Sequence, residues 1–558
     1  MPAAPVAPEP PGPPGADAPG PYRTRQAPAP SPAPPPAPGP YRTRGTPQPP
    51  RLGALDAPDA PDALDAPDAP DALDAPDAPD ALDALGPGGP YRTREREAVP
   101  DVTGRPVAQL SMVPRLYARR ALAALRRADG MPLDERLPAL AEAGRLFATA
   151  TLGGLTPERY AYAVARVSGL PITLVREATA DTAAALAGAY GSASQARPRG
   201  SRDGEAAQAP YPAQPRPLAV ADPMPPPPGP PGGTGAVWIR RGDVLSVLAA
   251  GNHPGVHAQW AEALALGYRV AVRPSRREPL SAHRLVTALR EAGFGGDQVA
   301  LLPCGHATAD DLVEGADLAM VYGGDAVVAK YRARTTVLAH GPGRAKILVA
   351  ADTDATAPRH LDTLVDSIAG QAGAACTNTT AVYVEGDPAP VAEALAARLA
   401  ALPSLPPEHD GAVLPVRPLD AARHLEKYVR GEAAGAVPWL GGDGFADDLG
   451  DGSAALRPAV FQVGSADAPQ TRLEMPFPCV WVAPWSRDAD GVAPLRDTLV
   501  LTALTTDRHL IGALLREPTV RSLHVGDHPT HALTAGLPHD GYLGEFLMRA
   551  KTFTTHPT

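Results

Sequence analysis

Beyond Gly235 the apolar positions switch between two rhythms. Short runs rich in β-branched and aliphatic residues, VLSVLAA (244–250), RVAVR (269–273), VALLP (299–303), LAMVYGG (318–324) and TTVLAH (335–340), predict strands. Between them, apolar residues three and four apart predict helices over 256–266, 280–292, 308–315 and 325–334. Each parallel strand pair needs a crossover, and a helix usually supplies it. The alternation therefore predicts an α/β fold with a doubly wound parallel sheet of the nucleotide-binding kind.

Upstream the pattern is different. RLYARRALAALRRA, RLPALAEAGRLFATATL, PERYAYAVARVSG and LVREATADTAAALAGAY repeat the helical spacing and make 105–196 a helical lead-in, followed by a Pro/Gly-rich linker or loop over 197–235. Residues 1–104 have no apolar rhythm. They carry GPYRTR three times, starting at Gly20, Gly39 and Gly89, around a D-A-P/D-A-L triplet array. Few large apolar groups offset the cost of ordering, so a disordered repeat tail is expected, either as a solvated spacer or as a set of docking motifs for a partner.

Charge and cysteine content narrow the function classes. The run from 55 to 85 holds ten aspartates and no basic residue, which equals the whole formal net charge of −10 and leaves the remainder near neutral. Nothing in that balance calls for nucleic acid. Cys304, Cys376 and Cys479 lie far apart, with no C-x-x-C pair and no histidine spacing suited to zinc, so no metal is expected. There is no signal-like start and no apolar run long enough to span a bilayer, so a cytoplasmic protein with no membrane association is expected.

The candidate nucleophile is Cys376, in GQAGAACTNTTAVYV (370–384). Small neighbours leave room for a substrate, although a lone Cys among alanines also suits simple packing. Other stretches frame it in order: Ala250-Gly251-Asn252-His253-Pro254, Arg273-Pro274-Ser275-Arg276, Val321-Tyr322-Gly323-Gly324, His340 through Val349, Gly370-Gln371 ahead of Cys376, and LEMPFPCVWV with Glu474. This succession, over roughly 237–555, resembles the aldehyde dehydrogenase superfamily, in particular its acyl-CoA-reducing branch, which includes the fatty-acyl reductases of bacterial luminescence. The matches are to that family's W-N-x-P, K-P-S-E, F-T-G-S, E-L-G-G-K, G-Q-x-C and E-x-F-x-P motifs.

The resemblance implies an NAD(P)-binding domain over 236–340, a catalytic domain over 341–525, a C-terminal return segment over 526–558, and a homo-oligomer. It makes Cys376 the nucleophile, places Asn252 and the Cys376 backbone N–H at the oxyanion, and sets Glu474 by the nicotinamide ribose. Arg273, Ser275, Arg276, Gly323 and Gly324 would hold the cofactor, in a chain without any G-x-G-x-x-G turn. Two departures bear on mechanism. His340 stands where hydrolytic members have the glutamate that activates water, which favours acyl transfer to a thiol over hydrolysis, while His340 can itself act as a base. Arg276 stands where a glutamate would hold the adenosine ribose of NAD, which favours NADP, with NAD as the alternative.

The expected reaction is reduction of an acyl-CoA or acyl-carrier-protein thioester to an aldehyde with NADPH. The rivals are oxidation of an aldehyde to an acid, and a degenerate enzyme body serving as an assembly scaffold.

Overall fold

In this computed structural model, residues 80–204, 234–534, 536–538 and 540–554 are described. Two seven-stranded sheets organise them. The first runs Val337–His340, Leu318–Tyr322, Val244–Leu248, Arg269–Arg273, Val299–Leu301, Ala84–Gly86, Gly89–Tyr91. Its first five strands are parallel, and the four from Leu318–Tyr322 to Val299–Leu301 are buried because they are apolar on both faces, as helix-covered strands must be. Chain order reverses between Val244–Leu248 and Leu318–Tyr322, which lie side by side with Leu248 opposite Val321. The crevice beyond the carboxyl ends of such a reversal is where open α/β sheets bind ligands. The loops carrying Asn252 and Gly323 leave the sheet at that crevice.

The second sheet runs Val437–Leu440, Ala459–Gln462, Cys479–Trp485, Thr379–Glu385, Ala345–Val349, Thr498–Leu504, Val520–Val525, and all but its first pair are parallel. Trp481, fully buried, stacks on Phe461 with ring centroids 5.1 Å apart at its centre. Only Gly341–Arg344 separates the carboxyl end of Val337–His340 from the start of Ala345–Val349. The C-terminal edge of the first sheet therefore meets the N-terminal edge of the second, where Cys376 precedes Thr379–Glu385.

Helices Arg115–Arg127, Leu133–Thr149, Pro157–Ser168 and Ile172–Ser194 occupy the lead-in. Strand Thr234–Arg240 pairs antiparallel with Met548–Thr554 and parallel with Arg202–Asp203. No helix among the described residues is long and apolar enough to cross a membrane.

One expectation is corrected. The repeat tail does not extend to residue 104, because from Asp80 onward the chain is part of the fold. Asp80–Leu82 pairs with Pro106–Ser111, and Ala84–Gly86 joins the first sheet through Leu85 opposite Leu301. The third GPYRTR copy is thus structural. Tyr91 stacks on Tyr117 with centroids 4.0 Å apart, and Arg92 Nε pairs with Asp83 Oδ1 at 3.0 Å. The first two copies and the linker from 205 to 233 lie outside the described residues. Tyr91→Ala should lower stability by about 1–2 kcal/mol, measured by urea denaturation, through loss of a stacked pair and its buried area.

Candidate active site

The loop before Cys376 is built from unusual backbone. Gln371, Ala372 and Gly373 all have positive φ (52°, 57° and 62°), which costs about 1–2 kcal/mol for each non-glycine residue. Its surroundings hold this conformation in place. Buried Asn378 donates through Nδ2 to Gly370 O (2.6 Å) and Ser367 O (3.2 Å), and its Oδ1 accepts from Ala375 N (2.9 Å). Asn378 thus ties both ends of the loop together. Sequence reasoning misses it, since its only signal there is an amide two residues after the cysteine.

Asn252 leaves the carboxyl end of Val244–Leu248 and donates Nδ2–H to Ala374 O at 3.0 Å, so the predicted oxyanion donor does meet the cysteine loop. Its turn can approach because residue 251 is glycine: a Cβ there would lie 2.2 Å from Ser275 Oγ. His253 fastens the same turn. Its Nδ1 accepts from Gly255 N (3.0 Å), so the proton sits on Nε2, which donates to Gln371 Oε1 (2.9 Å). Burial, partly opposed by the Gln371 bond, pushes the His253 pKa down to about 4 and keeps the ring neutral.

Gly343 abuts the backbone of Cys376, since a Cβ on it would lie 1.8 Å from the Cys376 carbonyl oxygen. Cys376 itself is half-buried. Burial, followed by the charges of Glu474 and Asp540, pushes its thiol up to about 12, so the resting group is protonated. Glu474 accepts from Arg344 N at 2.9 Å, and burial raises its pKa against the opposing help of that N–H and the Gly343 N–H. Arg344 also pairs with Asp325 (2.6 Å), the first residue of helix Asp325–Tyr331. His340 ends its strand buried. Its ring stacks on Tyr322 (centroids 4.8 Å apart), and Nδ1 lies 3.2 Å from Asp540 Oδ2. Cys304 and Cys479 are buried, and burial raises both thiols.

Apart from Glu474, the residues expected to hold a cofactor lie at or just beyond the carboxyl ends of Arg269–Arg273 and Leu318–Tyr322. Arg273 Nε donates to Cys304 O (3.2 Å), and Ser275 Oγ accepts from Arg277 N (3.2 Å). Gly323 N bonds His340 O (3.0 Å), while Gly324 faces open space. Arg276 does not stand alone: its Nη1 binds both Glu97 oxygens (3.0 and 3.2 Å), and its Nη2 lies 3.5 Å from His306 Nε2. Glu97 comes from strand Arg96–Pro100, inside the segment assigned to the tail. Exposed guanidinium groups beside a crevice with open space at Gly324 fit the phosphates of a nicotinamide dinucleotide. No group of three or more metal-ligating side chains is found among the described residues.

A cysteine loop and an amide donor facing each other between a doubly wound sheet and a second sheet define a class of NAD(P)-dependent oxidoreductases that act on aldehydes. The chain belongs to the aldehyde dehydrogenase family, whose model matches residues 244–542. No curated protein sequence matches it significantly. Among solved structures it is similar to a point mutant of Thermus thermophilus 1-pyrroline-5-carboxylate dehydrogenase (19% identity, TM-score 0.69, covering 86% of this chain and 93% of that one). It is similar also to aldehyde dehydrogenase 21 from Physcomitrella patens in complex with the reaction product succinate (20%, 0.65, 86% and 99%). A third is betaine aldehyde dehydrogenase of Staphylococcus aureus, a point mutant in complex with NAD+ and with a BME-modified cysteine (16%, 0.69, 85% and 96%).

Proposed function

We propose that the protein reduces an acyl thioester, of coenzyme A or of a carrier protein, to an aldehyde with NADPH, through an acyl group carried on Cys376. The observation that carries this reading is the state of the carboxylates whose charge Cys376 feels. Glu474 is bonded to the Arg344 N–H and Asp540 to His340, and position 340 itself is an imidazole. With both carboxylates engaged, water has no dedicated carboxylate base, and the acyl-enzyme survives for reduction.

Cys376 Sγ attacks the acyl carbon, and Asn252 Nδ2, with one N–H already on Ala374 O, directs the other at the oxyanion alongside the Cys376 N–H. Arg276 and Arg277 would hold the 2′-phosphate, Gly323 and Gly324 the pyrophosphate, and Glu474 the nicotinamide ribose. The chemistry such a dinucleotide would supply there is a hydride for the acyl carbon. His253 keeps Asn252 registered against the cysteine loop.

Incubation of an acyl-coenzyme A with NADPH should yield aldehyde and free thiol. The reverse reaction, from aldehyde and NADP, should depend on added coenzyme A, and acid formation indifferent to thiol would overturn the reading. That oxidative outcome is the second reading, favoured by the free Nε2 of His340, which could accept a proton from water.

Cofactor choice should turn on the Arg276–Glu97 pair. A 2′-phosphate carries more charge than a carboxylate and would replace Glu97 on the guanidinium. Arg276→Ala is expected to lower kcat/KM for NADPH roughly 10- to 100-fold, the scale of a charge-assisted contact worth about 1.5–3 kcal/mol, with little change for NADH. Glu97→Gln should move preference further toward NADPH. Initial rates with the two cofactors read both.

A further inference from the structure

We propose that His340 and Asp540 form a proton relay for Cys376: His340 Nε2 takes the thiol proton as the sulfur attacks a thioester and passes it to the departing thiol, while Asp540 positions the ring. The relay rests on the thioester reading above and assigns the proton traffic of its first half.

The geometry fixes the tautomer. An ionised Asp540 can only accept, so the 3.2 Å contact places the ring proton on Nδ1 and leaves the lone pair on Nε2. Stacking on Tyr322 fixes the ring plane, and the Tyr322 hydroxyl is itself held by Gln259 Oε1 at 2.7 Å. Nε2 is fully buried yet has no hydrogen-bond partner. An unpaired buried acceptor is costly unless function uses it. Three observations bring the dyad and the thiol near each other. Gly343, three residues after His340, touches the Cys376 backbone. The charge of Asp540 reaches the Cys376 thiol. The Tyr322 phenol, against the imidazole, is raised by burial and then by Cys376 and Asp540 together. Charged groups nearby include Glu474, which bears on Cys376, and Arg521, whose Nε lies 3.6 Å from Asp540 Oδ1.

The need for a relay follows from the half-buried, protonated thiol, which is a poor nucleophile until its proton leaves. In the step, the Cys376 S–H proton moves to Nε2 while an S–C bond forms to the acyl carbon. The acyl carbon's bond to the departing sulfur then breaks, and that sulfur keeps the electron pair and collects the proton from Nε2. Nothing is oxidised or reduced, and His340 returns to its starting tautomer.

The test uses the full chain without cofactor and two readouts: the rate of Cys376 alkylation by iodoacetamide at pH 7, and the rate of octanoyl adduct formation from octanoyl-coenzyme A, followed by intact-protein mass. His340→Gln is expected to slow both roughly 100-fold, the scale of general-base catalysis. Asp540→Asn is expected to slow them at least about 10-fold, with Asp540→Glu recovering most of the loss and NADPH affinity unchanged in all three. Unchanged alkylation and acylation in both His340→Gln and Asp540→Asn would overturn the relay. If Asp540→Asn fails to fold, His340→Gln alone decides. A parent that never forms the adduct but whose alkylation still depends on His340 would instead overturn the thioester reading and leave the dyad as the base for Cys376.

Discussion

Cys376→Ser is expected to abolish acyl transfer, lowering aldehyde formation from an acyl thioester by at least about 10⁴-fold, the scale on which nucleophile removal acts in enzymes with covalent intermediates. The replacement swaps one atom for a smaller one at a half-buried position, so the thermal melt should not move. Chemically the change is severe. The thiol is already held up to about 12 by burial and by the charges of Glu474 and Asp540. A hydroxyl is a far weaker acid in the same surroundings, and the oxygen attacks a thioester slowly when its proton stays in place. Two measurements check this: aldehyde release, and intact mass after exposure to the thioester, where the parent should gain one acyl group and the variant none. A serine variant as fast as the parent would remove Cys376 from the mechanism, and the roles assigned to Asn252, His340 and Asp540 with it.

The frame of this site is legible in the sequence because its parts are local. The strands over 244–248 and 269–273 are apolar runs bounded by turn residues, and the loops that follow them carry Asn252 and Arg276 wherever the sheet is built. Contacts that depend on distant segments are not legible. Glu97 meets Arg276 across 179 residues, and Asp540 meets His340 across 200, with no local pattern to join them. The tail boundary is misplaced for a compositional reason. The D-A-P/D-A-L array has the makeup of an unfolded chain, yet from Asp80 to Gly86 it contains no proline and two leucines, with Leu82 and Leu85 both buried. Each proline upstream removes an N–H that a strand needs. Loss of the prolines is what allows the last D-A-L copies to join a sheet, and it turns the third GPYRTR from a candidate docking motif into a structural turn.

Gly343→Ala should be nearly as damaging as loss of the sulfur, and for a purely steric reason. The added Cβ would lie 1.8 Å from the Cys376 carbonyl oxygen, 2.7 Å from its carbonyl carbon and 3.1 Å from its Cβ. The obstruction is mostly backbone, so no flexible side-chain end can swing aside. Neither loop is free to retreat. The Gly343 carbonyl accepts from Leu499 N at 2.8 Å, the next N–H is held by Glu474, and the cysteine loop is tied by Asn378 and by the His253–Gln371 bond. Relief must come by moving Cys376 away from Asn252, and a displacement near 1 Å costs about 100-fold in rate. The expected result is a loss of acyl-adduct formation of roughly 100- to 1,000-fold, with about 1–3 kcal/mol of stability lost to overpacking. Gly373→Ala should behave alike, since its φ is +62° and a Cβ there would lie 2.3 Å from Pro478 N, in the segment that carries Glu474. Gly188→Ala is the control. It lies in helix Ile172–Ser194 with nothing within 4 Å of the added methyl, so it should leave activity untouched and raise stability by about 0.5–1 kcal/mol. Adduct formation by mass and denaturant midpoints on the three variants separate a steric effect on the cysteine from a general sensitivity to losing glycine. Wild-type acylation in Gly343→Ala would mean that the 341–344 loop moves freely and does not position the nucleophile.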